Sequence, residues 1–229
     1  MANLAFRAAS YAEDLTFASS TATGTRPTGT AADDGLVAIV ATVVIAPAVP
    51  PTITGAPAGW TQIGSDVVHN GLNGGAVNAR HTFWRRVGES SEPATYAWTL
   101  SGAAGWGVKV GCWDNIRTSG SFVQSITSNS GTGTTATATG ITTDESNQKL
   151  IGFFLADNSA ATWTAPSGMT EQNDTNGSSI TDEDFATAGA TGNKAATASV
   201  SVAWQAYAVA LYSEDSTAGG TRRFILVRP

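Results

Sequence analysis

The sequence predicts an all-β protein, an antiparallel, jelly-roll-like β-sandwich built from an internal duplication. Three observations carry that prediction. The first is that one set of landmarks occurs twice. Leu36-Val-Ala-Ile-Val-Ala-Thr-Val43 answers to Leu150-Ile-Gly-Phe-Phe-Leu-Ala156, and Pro57-Ala-Gly-Trp-Thr61 answers to Pro166-Ser-Gly-Met-Thr170. Trp106 opens the last apolar run of the first copy as Trp204 opens that of the second. The second observation is that strand-length apolar or alternating runs are separated by clusters of Gly, Pro, Asn and Ser, the punctuation of β connections. The third is that Gly, Thr and Val interrupt every helical period, leaving room for at most a short turn around Asp182-Glu-Asp-Phe185.

In chain order, strands are expected near residues 4–11 and 15–21, then 36–45, 61–69, 77–86, 94–100 and 106–115. The second copy gives 122–127, 134–140, 149–156, 169–175, 179–187, 195–201 and 204–212. The runs 36–45 and 106–113 are continuously apolar, as suits central strands covered on both faces. Residues 78–86 alternate imperfectly, with Ala79, His81, Phe83 and Arg85 on one face. Asn73-Gly-Gly75, Pro50-Pro51 and Ser128–Gly133 read as turns. The chain is expected to form one sandwich domain over 1–229, with repeats at about 1–115 and 122–212 and a closing strand at 221–229. Residues 114–133 are the one candidate hinge.

Charged residues make up 13% of the 229 residues. That is about half of the roughly 25% found in an average soluble protein. The formal net charge of −6, with scattered basic residues, argues against a nucleic-acid partner. The longest apolar stretch, Leu36 to Pro50, is too short to cross a bilayer and contains Pro47 and Pro50, so no membrane partner is expected. The N-terminus lacks the basic and apolar regions of a signal peptide, which places synthesis in a cytoplasm without evident export. Cys112 is the only cysteine, which excludes an intrachain disulfide. Its setting in Val108-Lys-Val-Gly-Cys-Trp113 reads as a buried strand.

The acidic clusters Asp33-Asp34, Asp144-Glu145 and Asp182-Glu-Asp184 read first as solvated loop acids. The last of them, beside Asn173-Asp-Thr-Asn-Gly177, is the best local metal candidate, but it lacks the spaced ligand signature of a calcium loop. His69 and His81 belong to no zinc pattern, and no nucleophile elbow occurs. No cofactor is expected. Core packing accounts best for the seven tryptophans, because Trp60 is matched by Met169 across the repeat. A sugar-stacking platform of Trp60, Trp84, Trp98 and Trp163 is the rival, and Trp163 is expected to be the exposed aromatic contact.

The segments Phe6-Arg-Ala-Ala-Ser10, Asp34–Val40, Pro57–Thr61, Phe83-Trp-Arg-Arg-Val87, Ser91–Trp106, Trp163–Thr170 and Ala188–Gly192 together resemble a loosely defined group of duplicated β-sandwich proteins of tailed bacteriophages. The resemblance implies a non-enzymatic structural protein of the virion surface and carries no catalytic residues. Two placements stay open: a capsid decoration protein, and a tail-tip or fibre-associated protein for host recognition. A free carbohydrate-binding module is a further alternative. Expected partners are capsid or tail proteins and sister copies in a homo-oligomer on the particle, with a host surface glycan as another candidate. The C-terminal Arg222, Arg223, Phe224, Ile225, Leu226 and Val227 form an apolar run between arginines. It reads as a closing strand or as an attachment segment that adds a strand to a partner.

Overall fold

Matched apolar runs fold into matched strands. The computed structural model describes residues 4–218, so the segment at 221–229 lies outside the described residues. In the first half the strands are β1 (Phe6–Thr25), β2 (Gly35–Ile45), β3 (Ile53–Gly55), β4 (Thr61–Gly71), β5 (Val77–Val87) and β6 (Thr95–Trp113). In the second half they are β7 (Val123–Ala138), β8 (Thr142–Thr143), β9 (Glu145–Ala156), β10 (Trp163–Thr164), β11 (Thr170–Thr175), β12 (Ser178–Phe185), β13 (Gly189–Ala190) and β14 (Lys194–Ala218). The first sheet runs β1-β6-β2-β5-β4, with β3 also on β6. The second runs β7-β14-β9-β12-β11, with β10 also on β14, and every pairing is antiparallel. Among the described strands only β8 and β13 have no counterpart; they form a two-stranded clip of their own.

Register carries the equivalence down to single residues. Leu36 faces Cys112 and Leu150 faces Ala210; farther along, Thr42 faces Trp106 and Ala156 faces Trp204. The turn before β4 and β11 is also duplicated. Trp60 donates its N–H to the Pro57 carbonyl and Met169 to that of Pro166, with Gly59 at φ 79° and Gly168 at φ 87°. Both turns need a residue at φ > 0, which glycine adopts without strain.

Several runs that read as separate strands are single long ones. Residues 4–11 and 15–21 fuse into β1 through a bulge between Asp14 and Ser19. Residues 94–100 and 106–115 fuse into β6 across Gly102 and Gly105, and β7 and β14 fuse in the same way. A bulge lets a long strand bend while keeping its partner. Each half thereby curls over its own outer face. In the first half, Trp98, Tyr96 and Leu100 of β6 close over Leu36, Ala38 and Val40 of β2. In the second, Trp163, Ala196 and Ala198 close over Leu150 and Phe154. Trp60 and Met169 occupy these two outer clusters, as the repeat requires.

The inner faces meet in a third cluster that draws on both halves: Val37, Ile39, Phe83 and Trp113 against Ile151, Phe153, Ile180 and Tyr207. The one candidate hinge, residues 114–133, is packed into the core through Ile116 and Phe122, which are 1% and 0% exposed, and residues from 123 onward already form β7. The strand expected at 179–187 is β12, which pairs with β9 through Phe185 and leaves no helical turn at 182–185.

Candidate functional site

Asp33 and Asp144 are exposed loop acids as expected, whereas Asp34 and Asp182 are buried. Asp34, 2% exposed, takes the Arg7 Nε at 2.9 Å and the Ala31 N–H at 2.7 Å. Asp182, 4% exposed, accepts from Trp113 Nε1 at 3.1 Å and Gln172 Nε2 at 2.9 Å, and Lys149 bridges it to Asp184. Buried carboxylates need such partners, because an uncompensated buried charge is costly. Asp144 stays exposed and accepts the Tyr212 hydroxyl proton, while Glu145 pairs with Arg117. Asn176-Gly177, read beside the acids as a metal candidate, is the two-residue turn of the β11–β12 hairpin. Asn176 has φ 51° and Gly177 has φ 68°. Positive φ at both central residues is what a primed hairpin turn demands. Among the described residues no three His, Cys, Asp or Glu side chains converge as a metal set.

Trp163 is a second correction. It is 5% exposed, packs on Phe154 and donates Nε1 to the Gly177 carbonyl at 2.9 Å. The pairing of β10 with β14 turns its ring inward, which local sequence does not reveal. All seven tryptophans are buried. Cys112 is buried too; burial and the neighbouring Asp34 push its thiol up to about 12, with Thr30 and Arg7 opposing. It is therefore not thiolate at neutral pH.

His69 and His81 converge with three residues that the sequence left unmarked, Lys109, Ser178 and Tyr207. Lys109 on β6 and Tyr207 on β14 occupy equivalent register positions, facing Ile39 and Phe153. His81 and Ser178 are equivalent in turn, facing Ala41 and Leu155. Across the shared core Lys109 Nζ donates to the carbonyl and, at 2.9 Å, to the hydroxyl of Ser178. Tyr207 Oη lies 2.7 Å from His81 Nδ1 and 2.8 Å from His69 Nε2. The ties are therefore reciprocal, the self-complementary contact expected of a twofold interface. One hydroxyl serves both imidazoles: it donates to one ring and accepts from the other.

Burial sets the protonation of this group. It lowers His69 to about 4 and His81 to about 3, with the His69 charge adding to the effect on His81. Both rings are accordingly neutral, since burial disfavours the charged form. Burial lowers Lys109 to about 7 against the opposing pull of Asp174 and Glu171. It also raises the Tyr207 hydroxyl well above its usual range.

Above these ties a cleft of about 340 Å³ opens between the halves. Leu15, Phe17, Val43, Val77 and Leu155 supply apolar lining, and Lys109, His81 and Gln205 line it as well. An apolar cavity with a few converging polar groups and shifted pKa values is the usual form of a small-molecule site. The single signal that could have found it was Lys109, a lysine alone inside an otherwise apolar strand. No protein-family model, no curated protein and no solved structure matches the chain.

Proposed function

We propose that the chain is a non-enzymatic structural protein exposed on the particle of a tailed phage, serving as a capsid decoration protein that stabilises the shell. The observation that carries this reading is the use made of the chemically able side chains. Asp34, Asp182, Arg86 and Glu92 are each held in internal bonds that tie strands or halves together. A duplicated, cross-tied sandwich is a scaffold with a large outer surface, and the resemblance of its segments to virion surface proteins points the same way. The reading as a carbohydrate-binding module loses its aromatic platform, since Trp60, Trp84, Trp98 and Trp163 are all buried. A tail-tip or fibre role in host recognition is the second reading, favoured by the exposed Leu15 and Phe17 at the mouth of the cleft.

Copy number separates these readings. Quantitative mass spectrometry of purified particles, scaled to the major shell protein, should find the chain in hundreds of copies. A handful of copies would replace decoration with a tail position. Absence from particles would overturn both.

A further inference from the structure

The cleft between the halves combines two features that a purely structural seam does not need. One is its mouth. The bulge in β1 turns Leu15 and Phe17 outward, 54% and 36% exposed, and holds Phe17 at φ 60°. A bulky residue in the left-handed region is a strained conformation, and such strain concentrates where a binding surface is being shaped. The other feature is the polar part of its lining. Lys109 is 2% exposed, and no carboxylate among the described residues forms an ion pair with it. Two of its three N–H donors go to Ser178, and no partner among the described residues takes the third. Gln205, 3% exposed, also lines the cleft, and its Nε2 has no hydrogen-bond partner among the described residues.

The acids of the cleft do not answer these donors. Glu13 accepts from Tyr11 and Asn176, and Asp157 accepts the backbone N–H groups of Asn73 and Ala203. Asp174 and Glu171 act on the Lys109 ammonium without forming an ion pair with it, so an anion seated directly against it in this low-dielectric wall gains an attraction that water does not screen. The cleft measures about 340 Å³. That sits at the small end of the range of ligand pockets, roughly 300–1,000 Å³.

We infer that this cleft binds a small amphipathic carboxylate, a medium-chain fatty acid, with the carboxylate on Lys109 and Gln205 and the acyl chain along Ile39, Val43, Val77 and Leu155 toward Phe17. The inference goes beyond the virion reading and does not depend on it. A monocarboxylate fits the donor set: two oxygens for two free donors, each a charge-assisted or amide hydrogen bond. The apolar walls reject a compact polar anion such as acetate, which would leave them wet.

Isothermal titration calorimetry of the full chain with octanoate, octan-1-ol and acetate tests the assignment. Octanoate should bind at one site, at least tenfold tighter than octanol, and acetate should give no saturable heat. Lys109→Met, which keeps an unbranched apolar stem one atom shorter, should weaken octanoate at least tenfold and leave octanol unchanged. Phe17→Ser at the exposed mouth should weaken octanoate and octanol together. Equal affinity for the acid and the alcohol, or an unchanged octanoate affinity in Lys109→Met, would overturn the inference. So would a short peptide with a free apolar C-terminus binding where octanoate does not. If Lys109→Met fails to fold, the wild-type protein still decides the matter through amine acylation followed by peptide mass spectrometry. Octanoate should slow labelling of Lys109 while leaving the exposed amines unaffected, and unaltered labelling of Lys109 would contradict the assignment.

Discussion

Tyr207 with His69 and His81 shows how much one buried hydroxyl can set. Three strands from two halves meet on its oxygen. Both rings stay neutral because the site cannot solvate a second proton. The folded pKa values of about 4 and about 3 lie below the ordinary 6.5, so the unfolded chain binds more protons between those values. Stability contributed by these rings is therefore complete near neutral pH and is lost as pH falls from about 6.5 toward 3. Replacing both histidines with Gln should flatten that acid slope by about 2–3 kcal/mol at pH 4, after allowing for relaxation of the site. Urea midpoints measured from pH 7 to pH 4 check it; parallel slopes in variant and wild type would exclude the histidines as the cause. At this scale the sequence was legible where residue type alone decides. Tryptophan, with its large apolar area, is inside at all seven positions, as core packing of the set implied, with Trp163 alone expected outside. Asp34 and Asp182 were misread because burial with a partner depends on strands far away in the chain, as Asp182 with Trp113 illustrates.

The strands carry a second lesson in their turn contacts. Arg86 and Glu183 hold equivalent register positions, facing Leu36 and Leu150, and each approaches the glycine of the duplicated Pro-x-Gly turn. Their partners reverse the charge: Arg86 pairs with Glu92, and Glu183 pairs with Lys194. The same clamp between turn and strand is thus built twice with opposite signs. The two differ in exposure: the Arg86 and Glu92 side chains are 5% and 1% exposed, those of Glu183 and Lys194 24% and 11%. Glu92→Ala removes the buried partner of Arg86 and leaves it only the exposed Glu89 as a carboxylate, so it should cost ~3 kcal/mol in chemical unfolding. Lys194→Ala breaks the wetter pair and should cost ~1 kcal/mol or less. Similar losses for the two would show that burial does not grade the clamps. Strand positions were legible from apolar runs and turn residues, and the Pro57 and Pro166 turns fell where their spacing put them. Strand continuity was not, since glycines such as Gly102 and Gly105 bend β6 rather than end it. The brief β3 and β10 are too short to carry a period.

For the whole molecule, the reciprocal ties make one claim central: the two repeats act as a single body around a shared core. Lys109 reaches Ser178 as Tyr207 reaches His81, and the connection through Ile116 and Phe122 is packed into the same cluster. Neither half keeps its inner face covered without the other. The duplication was readable from matched landmarks, whereas the cleft was not, because it arises only where two equivalent edges meet with unlike side chains. Native-state hydrogen exchange read by mass spectrometry tests the claim most directly. Peptides from residues 35–45 of β2 and 145–156 of β9 report the two central strands, and global opening exposes both together. The account predicts one opening free energy, shared by both peptides and equal to that of chemical unfolding. Exchange of one central strand while the other stays protected would show two independently opening halves and contradict it.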